Sequence, residues 1–189
     1  MRKSLLLLTL LLMTMPAIHS ATPAPAQKSP AWKARLASAM PLLGHRNWIL
    51  IVDSAYPLQT SPGVETIETG AGQLEVVESV LSAIHSSIQV RPLIQMDAEL
   101  PFVTDQDAPG VSAYRAQIAQ LLKDYEIQSQ PHEQIIANVD EAGKTFHILV
   151  LKTKMTIPYT SVFIRLDCKY WSADAEQRLR ARMSAATGK

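Results

Sequence analysis

Apolar positions along this chain recur in two rhythms. Where they return every three or four residues they predict helices. Trp32, Leu36 and Met40 form one such stripe, ended by Pro41. Positions 74, 76, 77, 80, 81 and 84 form a second, with Glu75 and Glu78 on its wet side. Ser112–Tyr125 carries a third, through Ile118, Leu121, Leu122 and Tyr125. Another helix begins at His132 after Pro131, and a charged one at Ala173. Short unbroken apolar runs predict strands instead. Trp48–Val52 is too short for a helix and reads as a strand buried on both faces. Phe146–Leu151 and Ser161–Leu166 read as strands as well, and Ile88–Met96 as one interrupted by Pro92. Tyr56-Pro57, Thr60-Ser61-Pro62-Gly63 and Thr104–Gly110 are turn and loop sequences. Helices and apolar strands alternate without an internal repeat, which predicts one layered α/β domain.

Residues 1–20 fall outside this pattern. Arg2 and Lys3 precede the apolar stretch Leu5–Met15, which Pro16 breaks before the small Ser20. The stretch is too short for a stable membrane anchor and fits a secretory signal, so the chain is expected to be exported. Residues 21–31, rich in Ala, Pro, Lys and Ser, read as a flexible lead-in. Residues 32–172 are expected to form the domain, and 173–189 a charged helix and tail. Loss of the leader removes two of 18 basic residues and none of 17 acidic ones, leaving a formal charge of −1. That balance gives no reason to expect nucleic acid or an anionic membrane as partner. Cys168 is the sole cysteine, so no intrachain disulfide can form.

Four histidines lie beyond the leader: His45, His85, His132 and His147. His85 ends a helix and His147 lies within a strand, positions that suit structural or solvent-facing roles. His45 and His132 sit at a turn and a helix start, from which side chains can project into a cleft. Asp53 ends the strand 48–52, where folds of this class meet their ligands. His132-Glu133 is not a zinc-protease motif, because the second histidine would fall at Ile136. No Cys or His cluster has metal-ligand spacing, and no Gly-x-Ser-x-Gly elbow is present. Gly70-Ala71-Gly72 lacks the third glycine and preceding strand of a dinucleotide loop.

What remains is Leu43-Gly44-His45 leading through a strand to Asp53, then Pro57, a later Pro131-His132-Glu133-Gln134, and Pro158-Tyr159 before a strand. In order and spacing this resembles the D-ribose pyranase and L-fucose mutarotase (RbsD/FucU) family, from about Trp32 to Tyr170. The resemblance implies a single three-layer α/β/α domain with a central sheet. It implies His45 as proton donor, with Asp53, His132 and the segment Tyr159-Thr160-Ser161 binding the sugar. The family's Asp-Ala-Gly is here Asp53-Ser54-Ala55, and its Asn after Tyr-Ala is here Ser161.

The implied reaction is ring opening and reclosure of a monosaccharide by proton exchange, which needs no cofactor and no metal. Histidine, with an unperturbed pKa of about 6.5, suits it. The expected partner is thus a monosaccharide. A non-catalytic sugar-binding oligomer on the same scaffold is the alternative. Eight residues separate His45 from Asp53, and at ~3.3 Å each an extended run places them roughly 26 Å apart. One sugar cannot touch both within a subunit, so the sites are expected at subunit interfaces of a closed homo-oligomer. The resemblance implies ring-like assemblies in agreement.

Overall fold

The run Trp48–Val52 forms strand β1, and all five of its residues are buried. In the computed structural model, which describes residues 30–187, β1 lies inside a six-stranded sheet. The signal expected over 1–20, and all but the last two residues of the lead-in, lie outside the described residues. The strands in chain order are β1, β2 (Val64–Glu68), β3 (Val90–Asp97), β4 (Ile127–Gln130), β5 (Ile148–Lys152) and β6 (Val162–Cys168). Across the sheet they run β2-β5-β1-β6-β3-β4. β1 pairs parallel to β5 and antiparallel to β6, and β6 is antiparallel to β3. With β2 parallel to β5 and β4 parallel to β3, five strands end at one edge of the sheet, and only β6 begins there.

Helices cover both faces. Ile49 and Ile51 point to the core built by α1 (Ala31–Ala39), α2 (Gln73–Ser86) and α3 (Val111–Leu121). Trp48, Leu50 and Val52 point to Ile135 and Val139 of α4 (His132–Gly143). This is the expected three-layer α/β/α arrangement, and it explains why β1 lacks polar/apolar alternation. Each large apolar side chain so buried contributes about 1.5–3 kcal/mol against leaving it exposed. Glu75 and Glu78 of α2 are exposed, as its periodicity predicts. The last helix, α5 (Ala173–Thr187), buries none of its residues.

Two strands escape the sequence pattern, and both are edges. Val64–Glu68 carries no pattern that assigns it an element, yet as β2 it pairs along β5, and its Glu65 accepts from Arg35 Nε of α1 at 2.7 Å. β4 reads Ile-Gln-Ser-Gln and has too little apolar content to announce itself. Pro92 does not interrupt β3. The Leu166 N–H and C=O bond toward Asn47 and Arg46, so the Pro92–Leu166 pair is a non-hydrogen-bonded one. The proline nitrogen then faces the side where β4, which pairs only from Ile94, leaves the edge open.

Gly63 immediately precedes β2 and lies against backbone. A Cβ there would lie 2.6 Å from the Gly143 carbonyl oxygen and closer still to that of Phe146. Gly63→Ala is therefore expected to destabilise the fold by about 1–3 kcal/mol through overpacking. Urea denaturation checks this; an unchanged midpoint would show that the Phe146 turn yields freely.

Candidate functional site

The shared edge where five strands end carries a cleft of about 760 Å³, a size that suits a small ligand. Three segments build it. The first leaves β1: Asp53, whose Oδ1 accepts from the Ala55 N–H at 2.8 Å in a tight turn, followed by Tyr56 and Pro57. The second is the first turn of α4, with His132, Glu133 and Ile136. The third is the connection from β5 to β6, which contributes Thr156 to Tyr159. A buried amide fastens the pieces from below: Gln73 Nε2, at the start of α2, donates to the carbonyls of Ile51 at 3.1 Å and Thr160 at 2.9 Å. The Ser54 N–H donates to Met155 O at 2.8 Å, stitching the first segment to the third.

His132 is fixed from two directions by the end of β3. Its backbone N–H donates to both Glu99 carboxylate oxygens, at 3.0 and 3.1 Å, which satisfies one free donor of the helix start. Its Nδ1 lies 3.1 Å from Asp97 Oδ1. Tyr159 meets the ring edge-on, with centroids 5.7 Å apart and planes at 85°. Tyr159 has φ +59°, a left-handed conformation that non-glycine residues seldom adopt and that concentrates at functional sites.

Asp53, His132 and Tyr159 are thus brought together by three remote stretches of chain. Thr160 and Ser161, the rest of the segment expected to bind with Tyr159, do not line this cleft. Both are buried, Thr160 completely and Ser161 to 2% exposure. The Thr160 hydroxyl donates to Ile157 O at 2.7 Å, and its carbonyl accepts from Tyr114 at 2.7 Å, so this residue locks the loop that aims Tyr159. Ser161 leads into β6, in mid-sheet, where both faces are covered.

His45 is also elsewhere. It is exposed in the turn before β1, at the opposite end of that strand from Asp53. There it lines a separate crevice of about 510 Å³ with Arg91, Asp167, Tyr170 and Trp171. The chain does not fold back between His45 and Asp53. His85 is exposed at the end of α2, and His147 stands beside Glu65 at 3.5 Å.

Sequence reasoning missed Asp97 and Glu99. Asp97 carried the same signal as Asp53, an apolar strand closing on a carboxylate, but the expected strand stopped at Met96. Asp97 is 3% exposed, and its Oδ2 is buried without a hydrogen-bond partner. Burial holds its carboxyl above the usual carboxylate range, against the opposite pull of His132. A native pKa above the unfolded one means that the folded state binds the proton more tightly. Folding stability contributed at this site is therefore complete below the unfolded value of about 3.9 and falls as pH rises through the raised native value. The stability of Asp97→Asn relative to wild type is expected to increase across that interval, measured by urea midpoints from pH 3.5 to 7. A difference that shrinks with rising pH would contradict the burial account.

Comparison with known proteins follows the same outline. A model described as the RbsD / FucU transport protein family matches residues 26–167. No curated protein matches significantly. Among solved structures, that of Bacillus subtilis RbsD complexed with D-ribose is similar with a TM-score of 0.52 at 16% identity, over 75% of this chain and 97% of that one. FucU from Bifidobacterium longum gives 0.49 at 14% identity, over 71% and 94%. The fucose mutarotase of Streptococcus pneumoniae in complex with L-fucose gives 0.47 at 16%, over 70% and 91%.

Proposed function

This chain belongs to the RbsD / FucU family, and on that premise we propose that it is a monosaccharide mutarotase or pyranase. It interconverts anomers, or pyranose and furanose forms, by general acid/base ring opening. One observation carries this reading. Asp53, His132 and Tyr159, which the family resemblance nominates from distant parts of the sequence, line a single cleft of ligand size. Asp53 offers its free carboxylate oxygen to sugar hydroxyls in charge-assisted hydrogen bonds. Tyr159 offers its hydroxyl or its ring face.

The lining of the cleft also bears on the substrate. Among the described residues it carries Asp53, Glu133 and Asp140 and no Lys or Arg. Such a lining repels phosphate and carboxylate groups, so the substrate is an uncharged sugar. His45 completes the site from a neighbouring copy of the chain in a closed homo-oligomer, since its own Asp53 is a strand length away. The Arg2-Lys3 start and apolar Leu5–Met15 support export before the protein acts.

Polarimetry of freshly dissolved L-fucose, D-ribose and D-galactose tests the activity. Optical rotation is expected to reach equilibrium faster with the protein than in buffer for at least one of them. Buffer rates for every sugar would overturn the reading.

A further inference from the structure

Opening a sugar ring needs two proton transfers, one at the anomeric hydroxyl and one at the ring oxygen. His45 accounts for one of them. The cleft holds three central candidates for the other: Asp53, His132 and Tyr159. A neutral imidazole carries one nitrogen that donates and one that accepts, so it suits either transfer. His132 is also the one whose far nitrogen is held by a buried group.

We propose that His132 is the second proton-transfer group of this site and that Asp97 is its positioning residue; the inference rests on the mutarotase reading above. An ionised carboxylate can only accept hydrogen bonds. With Asp97 Oδ1 3.1 Å from Nδ1, the neutral ring carries its proton on Nδ1 and keeps the Nε2 lone pair for the cleft. The His132 N–H on Glu99 and the edge-on Tyr159 ring hold the imidazole in that pose. An amide at position 97 could accept through its oxygen or donate through its nitrogen, and so would not select one tautomer. The negative charge adds a second effect when the ring itself becomes positive, during proton transfer. Among the described residues, the charged groups that line the cleft with the ring, Asp53, Glu133 and Asp140, share that sign, as does Glu99 on the His132 backbone N–H; Lys152 Nζ is turned to the Tyr56 carbonyl at 2.6 Å. Burial raises the Tyr56 and Tyr114 hydroxyls well above the usual phenol range, so both stay protonated.

The step balances. Nε2 of His132 takes the anomeric hydroxyl proton, and the freed oxygen pair forms the carbonyl. The bond from the anomeric carbon to the ring oxygen breaks with its pair on that oxygen, which takes a proton from His45 of a neighbouring copy. Rotation of the open chain turns the carbonyl over. Reclosure runs the transfers backward and restores both histidines.

The test begins with the wild-type protein, labelled with 15N-histidine. Its long-range 1H–15N spectrum near neutral pH is expected to show His132 as a single tautomer protonated at Nδ1. In Asp97→Asn, which keeps an acceptor oxygen and loses the charge, a mixture of tautomers is expected. Anomer exchange should fall at least about tenfold in kcat for Asp97→Asn, with KM within about twofold. For His132→Gln it should fall by about 10²–10⁴-fold in kcat. A wild-type ring protonated at Nε2 would overturn the positioning role without the need of any variant. Wild-type kcat in His132→Gln, with weakened binding alone, would make His132 a binding residue and overturn its proton-transfer role. Both results leave the mutarotase reading standing. Absence of exchange in the wild type sinks that reading and the proton-transfer role with it, while the tautomer spectrum still decides what Asp97 does.

Discussion

Replacing His45 by Gln is expected to slow anomer exchange by about 10²–10⁴-fold while leaving sugar binding in place, the range that one positioned acid/base group contributes. Glutamine preserves size and hydrogen bonding and removes the protonation equilibrium. The residue is exposed in the turn before β1 and lines none of the cleft that holds Asp53, His132 and Tyr159. Its loss should therefore leave the fold and most sugar contacts intact, so urea midpoints and chemical-shift titrations with sugar serve as controls. Saturation-transfer NMR reads the exchange rate itself. A His45→Gln protein that exchanges anomers at the wild-type rate would remove His45 from the reaction.

The second large effect concerns where the site is assembled. β1 runs straight between the His45 turn and Asp53, and all five of its residues are packed between helix layers, so nothing can bring its two ends together. If one sugar meets both residues, they come from different copies. His45→Gln and Asp53→Asn should each be inactive alone. Mixed by co-expression, however, they should recover activity at about a quarter of the sites, because random assembly places an intact His45 against an intact Asp53 at that frequency in a closed ring. Activity in the mixture is measured against each variant alone at equal total protein. No recovery, with mixed oligomers demonstrated by mass, would contradict a site shared between copies of the chain.

Much of this architecture was legible from residue order because burial on two faces writes a plain signature. Trp48–Val52 is continuous and apolar, and it became the strand that helices cover on both sides. Val76, Val77, Val80, Leu81 and Ile84 repeat at helical spacing, and all are buried. β2 and β4 were illegible for the converse reason: an edge strand with partly exposed side chains needs no apolar pattern, and its identity rests on pairing with β5 or β3. The bounds of β3 shifted for a similar reason. Ile88 is apolar yet 86% exposed, outside the strand, whereas polar Asp97 is its buried last residue.

The site shows the same division. Asp53 and His132 stand at a strand end and a helix start, positions that local sequence marks. Tyr159 was found through the resemblance, which also named Thr160 and Ser161, and these two are buried outside the cleft lining. Local sequence does not report which way a loop residue turns where it meets a sheet. Nor could it report that Asp97, 35 positions before His132, lies against its ring. That contact depends on β3 and β4 lying side by side, with α4 starting directly after β4.

The central claim, that this protein opens and recloses a monosaccharide ring, is tested most directly by saturation-transfer proton NMR on the purified wild-type protein with D-ribose, L-fucose, D-galactose and D-glucose. Irradiating the anomeric proton of one form should lower the intensity of another form of the same sugar faster than in buffer, for at least one of the four. Contact signals from bound sugar with exchange at the buffer rate would contradict the claim and leave a sugar-binding protein on this scaffold.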